Sequence, residues 1–248
     1  MISLIYSISL IVGAVANLLM ATLLLAHQKA FSRYPIYHRA RLLTAVWLIV
    51  FAVGYLIHAV TGLRAFWPSA ASALTVSYFH FGAICFCWGY IPLLNPDYLT
   101  RRIVVRDLII YAFGLVCYWS VALLWKDAPL YTLLSFIVFF GYVAYHIFLF
   151  YRTYHNVSYR LLKMSYGNVS GFVHWLQISC DLIIFFGTCG VIMLALFNED
   201  SKIPYTVLTL MGIGIWAYIV YSLNKYGSVV ETATRATENV AATDFQNL

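Results

Sequence analysis

Five ionisable side chains and one amide interrupt segments of this chain that are otherwise apolar: His58, His80, His146, His174, Asp181 and Gln177. Ionisable groups within hydrocarbon are costly, and they face the protein interior or a partner. Each type brings a definite chemistry. Neutral imidazoles ligate metals, and a pair of them can hold haem iron. A carboxylate next to an imidazole relays protons or senses pH. Either group also serves a plainer purpose, a hydrogen bond between packed helices. His174, Gln177 and Asp181 are spaced i, i+3, i+7 and share one helix face. His80 and Cys87, seven residues apart, do so too. A set of four well-spaced metal ligands does not emerge, so neither a metal nor a cofactor is expected.

Composition decides what elements hold these groups. The 248 residues are 63% hydrophobic and 10% charged, with a mean hydropathy of +0.83. A soluble domain has about 25% charged residues, and no soluble core of this length buries so much apolar side chain. The expected class is an all-α polytopic membrane protein with seven transmembrane helices. The spans are read at about 3–26, 43–63, 73–95, 108–125, 130–151, 172–197 and 205–224. The fourth is the shortest, yet at 1.5 Å per residue it reaches roughly 27 Å. Residues 1–225 form the membrane domain, and 226–248 a polar cytoplasmic tail or linker.

Orientation follows from the basic residues. Lys29, Arg33, Arg39, Arg41, Arg101, Arg102, Arg106, Arg152, Arg160, Lys163, Lys225 and Arg235 fall on one side, against Arg64, Lys126 and Lys202 on the other. Positive charge marks the cytoplasmic face, so the N-terminus is expected outside and the C-terminus inside. The net charge of +6 is then membrane anchoring, suited to anionic lipid head groups, and not a nucleic-acid footprint. This topology sets the depth of each polar group. His58 and His80 come into the outer third of neighbouring spans, where they can meet. His146 and His174 come to the inner face, with Asp181 about 10 Å deeper.

Between the third and fourth spans, Asn95-Pro96-Asp97 breaks the helix ahead of Arg101, Arg102 and Arg106. Proline disfavours helix at the residue before it, and Asp97 is a candidate cap for a short surface helix running to Arg106. The segment reads as a structural elbow, or as a part that carries a change in the third span to the cytoplasm.

Several chemistries drop out. Cys85, Cys87, Cys117, Cys180 and Cys189 lie in apolar segments without CxxC spacing and read as packing residues. The N-terminal apolar run lacks a basic n-region and continues to Ala26, too long for a signal-peptide core. The last span has no lysine for a retinal Schiff base. HExxH and GxSxG are missing, so no enzyme is expected. Gly212 and Gly214, like Gly187 and Gly190, suit close helix packing. Asn156-Val157-Ser158 and Asn168-Val169-Ser170 match the glycosylation triplet but fall on the cytoplasmic side.

The span pattern, the stretch IPLLNPDYLTRR after the third span and the polar exit after the seventh together resemble the N-terminal membrane regions of bacterial membrane-anchored transcription regulators. Those regulators end in an AraC-type helix-turn-helix domain. The resemblance covers about residues 1–225 and carries over no functional residue. This chain departs from it by ending at Leu248, as a stand-alone relative or a truncated regulator would. The expected function is a sensor or receptor-like protein of the bacterial inner membrane, relaying a signal from His58 and His80 to a cytoplasmic regulatory partner. The alternative is a small proton-coupled transporter using Asp181 and His174.

Overall fold

The structure, a computed structural model, describes residues 2–26, 31–124, 128–163, 167–196, 202–225 and 227. Apart from Gly227, the tail from 226 to 248 lies outside them. The described chain is helical throughout, with α1 at Ile2–Ala26, α2 at Pro35–Thr61, α3 at Leu63–Phe66, α4 at Pro68–Leu94, a 3-10 turn at Pro96–Tyr98, α5 at Arg101–Leu124, α6 at Pro129–Lys163, α7 at Gly167–Leu196 and α8 at Lys202–Lys225. Among the described residues, seven of these helices are long and apolar enough to cross a membrane. The chain is a multi-pass membrane protein, as its composition requires.

The helix boundaries depart from expectation: α2, α4 and α7 begin five to eight residues earlier than their apolar runs, at Pro35, Pro68 and Gly167, and two further differences bear on the site. No separate surface helix precedes the fourth span. Instead α5 begins at Arg101 and carries Arg106 and Asp107 within it, its first turn capped where Thr100 Oγ1 accepts the Ile103 N–H at 3.4 Å. Asp97 is therefore not the cap of that helix. The fifth span does not stop at Tyr151: α6 runs on to Lys163, 35 residues or about 52 Å. It must project beyond a hydrocarbon layer of about 30 Å.

α4 is the centre of the bundle. It packs against α2, α5, α6 and α7, and 67% of its most apolar stretch is buried, against 22% for α6. It continues through Pro92 to Leu94. Glycine lets neighbouring side chains come this close. A Cβ on Gly82 would stand 2.0 Å from Trp47 Nε1, because the indole of α2 lies directly on the α4 backbone. Trp47 in turn meets Trp216 of α8 edge-on at 4.3 Å, while Phe79 stacks on Phe186 of α7 at 5.3 Å. Gly212 is held in the same way, its missing Cβ falling 2.9 Å from Phe186. Edge-to-face and offset rings of this kind add directional attraction to plain packing.

Two arginines mark opposite ends of the bundle. The fully buried Arg41 on α2 donates to Leu24 O at the end of α1 (3.0 Å), and to Leu223 O (3.2 Å) and Asn224 Oδ1 (2.9 Å) at the end of α8. The last carbonyls of a helix have no partner within it and carry negative potential, so one guanidinium ties three helices together there. Tyr37 donates its hydroxyl to the same Leu223 carbonyl. At the other end, Arg64 of α3 lies over the ring of Tyr205 in the first turn of α8, 3.5 Å from its centroid. Gly62, at φ +60°, makes the left-handed exit from α2 that brings α3 round. Pro68 then opens α4 from its first turn, where a missing N–H costs nothing.

The outer surface is itself apolar: Leu4, Ile8, Ile109, Phe136, Phe148, Leu210 and Tyr221 are all exposed. Such a surface suits lipid.

Gly82→Ala forces its methyl into a rigid ring and is expected to destabilise the bundle by about 1–3 kcal/mol, the usual penalty for overpacking. Thermal unfolding in detergent measures it, and the penalty shrinks in a Trp47→Leu background.

Candidate functional site

A chain of polar contacts runs through the interface of α4, α5 and α6. Asp107, fully buried near the start of α5, accepts the Trp88 Nε1–H of α4 at 2.8 Å and the Arg106 Nε–H at 2.9 Å. A second Arg106 nitrogen, Nη2, lies 2.8 Å from the same carboxylate. Arg106 Nη2 also donates to His146 Nε2 of α6 at 3.4 Å. The other ring nitrogen of His146, Nδ1, donates to Tyr142 O at 2.8 Å. A donor on one side and an acceptor on the other specify the neutral ring with its proton on Nδ1. Arg106 leans over the ring of Tyr145 at 5.4 Å.

The chain reaches the elbow. Tyr98, in the turn after Pro96, is buried beside Cys87, Arg106 and Asp107. Burial pushes its phenol well above the ordinary tyrosine range, and the Arg106 charge opposes this only in part. Asn95 is extended, its N–H donating back to Ile91 O at 2.9 Å, and Tyr98 N–H donates to Asn95 O at 3.0 Å. Asn95 and Asp97 are exposed and Pro96 is half-buried.

On its other side His146 borders a cavity of about 300 Å³. Phe79 and Phe86 of α4 form its floor, Phe139 and Val143 of α6 one wall, and Ile183 and Phe186 of α7 the other. The exposed Phe140, Ala144 and Thr188 also line it, so it opens outward between α6 and α7. A mostly apolar hollow with a few placed polar groups is the usual form of a small-molecule site.

His58 and His80 do not form a pair. His80 turns from α4 toward α5 and α6, where its Nδ1 is 2.8 Å from Tyr118 Oη and its ring meets Tyr111, Phe139 and Tyr142. Gly114 leaves room for that bond, since a Cβ there would lie 3.0 Å from Tyr118 Oη and 3.2 Å from His80 Nδ1. His58 turns instead toward Thr75, its Nε2 3.3 Å from Oγ1, at the Arg64 end of the bundle. What the structure does bring together is His80 and His146, both against the Tyr142 ring, at 4.8 and 4.1 Å. His58 on α2 and His80 on α4 thus face different partners, although helical depth alone placed them side by side.

His174, Gln177 and Asp181 keep their common face on α7, but that face is not turned into the bundle. His174 and Asp181 are exposed and Gln177 is half-buried. Asp181 accepts the Tyr151 hydroxyl of α6, and His146 bonds to Arg106 and Tyr142 instead. Among the described residues, no group of three His, Cys, Asp or Glu side chains is arranged to hold a metal ion. All five cysteines are free.

Sequence reasoning counted Arg106 only as a basic anchor at the end of a short surface helix and did not single out Asp107. The signal lay in an adjacent pair of opposite charges directly preceding an apolar run. Arg41 and Arg64 entered only as counts of basic residues. Comparison of the chain with protein-family models, with curated proteins and with solved structures finds no match.

The two halves of the ion pair differ in their access to water: the Arg106 side chain is 37% exposed and that of Asp107 is 0% exposed. Arg106→Gln strands a buried carboxylate and is expected to cost about 3 kcal/mol, the scale for breaking a buried pair. Asp107→Asn costs less, because Arg106 can turn to water and the amide still accepts from Trp88. The double variant recovers part of the loss. Chemical denaturation of the three variants checks this order, and equal losses for the two single changes would contradict it.

Proposed function

We propose that the chain is a non-catalytic membrane sensor or receptor that takes an apolar or amphipathic ligand between α4, α6 and α7 and passes its presence to the elbow at Asn95–Asp97. The observation that carries this reading is the contact path from the cavity to the elbow. His146 lines the cavity and accepts from Arg106; Arg106 pairs with Asp107; Asp107 holds Trp88; and Tyr98 of the elbow lies buried beside the pair. A ligand that displaces the His146 ring changes the partners of Arg106, and the elbow sits next to that change.

The opening of the cavity between α6 and α7 favours a ligand arriving through the bilayer. In the sequence twelve basic residues flank the spans on the side of Arg41, against three on the side of Arg64, which supports a cytoplasmic elbow and C-terminus and an outer N-terminus. A cytoplasmic regulatory partner would read the exposed Asn95 and Asp97, and the inner membrane of a bacterium is the setting that the resemblance to membrane-anchored regulators suggests. The exposed positions of His174 and Asp181 give the proton-coupled transporter no enclosed path, so that reading gains nothing from the packing.

A bromoalkane serves as an apolar probe. It is expected to quench tryptophan emission saturably in the native protein, and at least tenfold more weakly in Ala83→Phe, which fills the cavity floor. An Asp97→Cys variant then reports the relay: its maleimide labelling rate should change when the probe binds, and the change should vanish with His146→Ala. Quenching without any labelling change would remove the relay. Quenching indifferent to Ala83→Phe would remove the site itself.

A further inference from the structure

Arg64 presents a different problem from Arg41 and Arg106. It is 2% exposed at the end of the bundle where α2, α4 and α8 meet. One of its nitrogens, Nη2, has the Thr75 hydroxyl at 3.4 Å. Its Nε and Nη1 have no hydrogen-bond partner, and among the described residues no carboxylate lies within ion-pair distance. The Tyr205 ring beneath it supplies a cation–π contact. Such a contact offsets only part of what it costs to bury an unpaired guanidinium.

The neighbouring groups are no remedy. Thr75 Oγ1 donates to Ala71 O at 2.7 Å, so toward His58 Nε2 it acts as an acceptor, and that imidazole must supply the proton. Tyr205 belongs to the first turn of α8, at the positive end of that helix's dipole. Lys202 of the same turn reaches Ser3 Oγ at 3.3 Å and adds another cation to this end. Among the described residues, Arg64 is thus the one cation lining a small hollow that it shares with His58, Thr75, Tyr6, Tyr78 and Tyr205, at the N-terminal end of α8.

The size of the hollow selects the ligand. It has about 20 Å³ of room for the centre of a water-sized sphere. One water needs roughly 10–15 Å³ by that measure, so the space admits a particle of about one heavy atom. We propose that this hollow binds a small inorganic anion of halide size, held by the free Nε–H and Nη1–H of Arg64 and by the potential of the α8 N-terminus. The site is separate from the α4–α6–α7 cavity and does not depend on what fills that cavity. Charge-assisted N–H donors in a water-poor site are the strongest means of holding such an ion.

Chloride is the probe. The purified full chain, in neutral detergent, is moved from sodium gluconate to sodium chloride at constant ionic strength. Its unfolding temperature and the ³⁵Cl line width are read at each step. The unfolding temperature is expected to rise saturably and the excess ³⁵Cl line width to fall as the site fills, both effects weakened at least tenfold in Arg64→Gln and only slightly in Lys202→Gln, whose side chain reaches Ser3 and not the hollow. Glu199→Gln with Asp200→Asn, on the link between α7 and α8, is expected to leave chloride binding as it was. If chloride binding instead appears only in that double variant, the chain supplies its own counter-charge and the proposal falls. It falls equally if the native chain shows no saturable response or if Arg64→Gln retains it. Should Arg64→Gln fail to fold, the native chain still decides. Chloride and bromide should act where sulfate and phosphate do not, and an equal response to all four would overturn the proposal.

Discussion

A guanidinium shielded wholly or partly from water must find acceptors inside the protein, and three arginines of this bundle meet that demand in three ways. Arg41 uses backbone carbonyls at the ends of α1 and α8. Arg106 uses a carboxylate and an imidazole. Arg64 has one hydroxyl and the face of a tyrosine. The first solution is structural, because the carbonyls it satisfies are orphans of helix termini and their capture fixes how three helices meet. The second joins three helices through side chains whose partners can be exchanged. The third is the least complete, with two guanidinium nitrogens left over against one, Nε, in Arg41. The demand is the same each time, and the available acceptors decide whether it is met by helix carbonyls, by side chains or only in part.

Between these polar points the bundle is held by aromatic packing on glycine. Trp47, Phe51, Tyr78, Phe79, Phe186 and Trp216 form one connected set across α2, α4, α7 and α8. Large rings reach across because Gly54, Gly82 and Gly212 leave no Cβ in their way. Lipid offers apolar side chains an environment much like the core, so close contact and directional attraction do the work that water exclusion does in a soluble fold. The same requirement explains the cavity. Where α6 and α7 separate above α4, small side chains such as Ala83 and Ala144 leave space that the surrounding rings cannot fill.

Much of the fold was legible before any coordinates. Apolar runs of about twenty residues have one outcome in a bilayer, since every backbone group must be bonded within its own segment. Hence seven long helices, and hence their approximate places. The ends were less legible. The start of α5 at Arg101 was obscured by its charges, which read as a surface helix apart from the span, although arginine is a good helix former and lets one helix run through. The continuation of α6 past Tyr151 was obscured because hydropathy reports where apolar character stops, and a helix has no obligation to stop there.

The candidate site was legible in its parts and not in its assembly. His58, His80 and His146 stood out because a polar group in an apolar run is conspicuous, and helical rise gave each an expected place along its span. Depth does not say which neighbour a side chain faces. Around α4, the rotation of each flanking helix sent His58 to Thr75, and His80 to Tyr118 beside the ring that also touches His146. The same rotations left the shared face of His174 and Asp181 outside the bundle. Local pattern follows from the chain alone, because the bilayer judges each segment by its own composition. Which segments meet, and on which faces, was decided only by packing seven helices at once, because such contacts join residues as distant as Arg41 and Asn224 and leave no mark in the spacing of either.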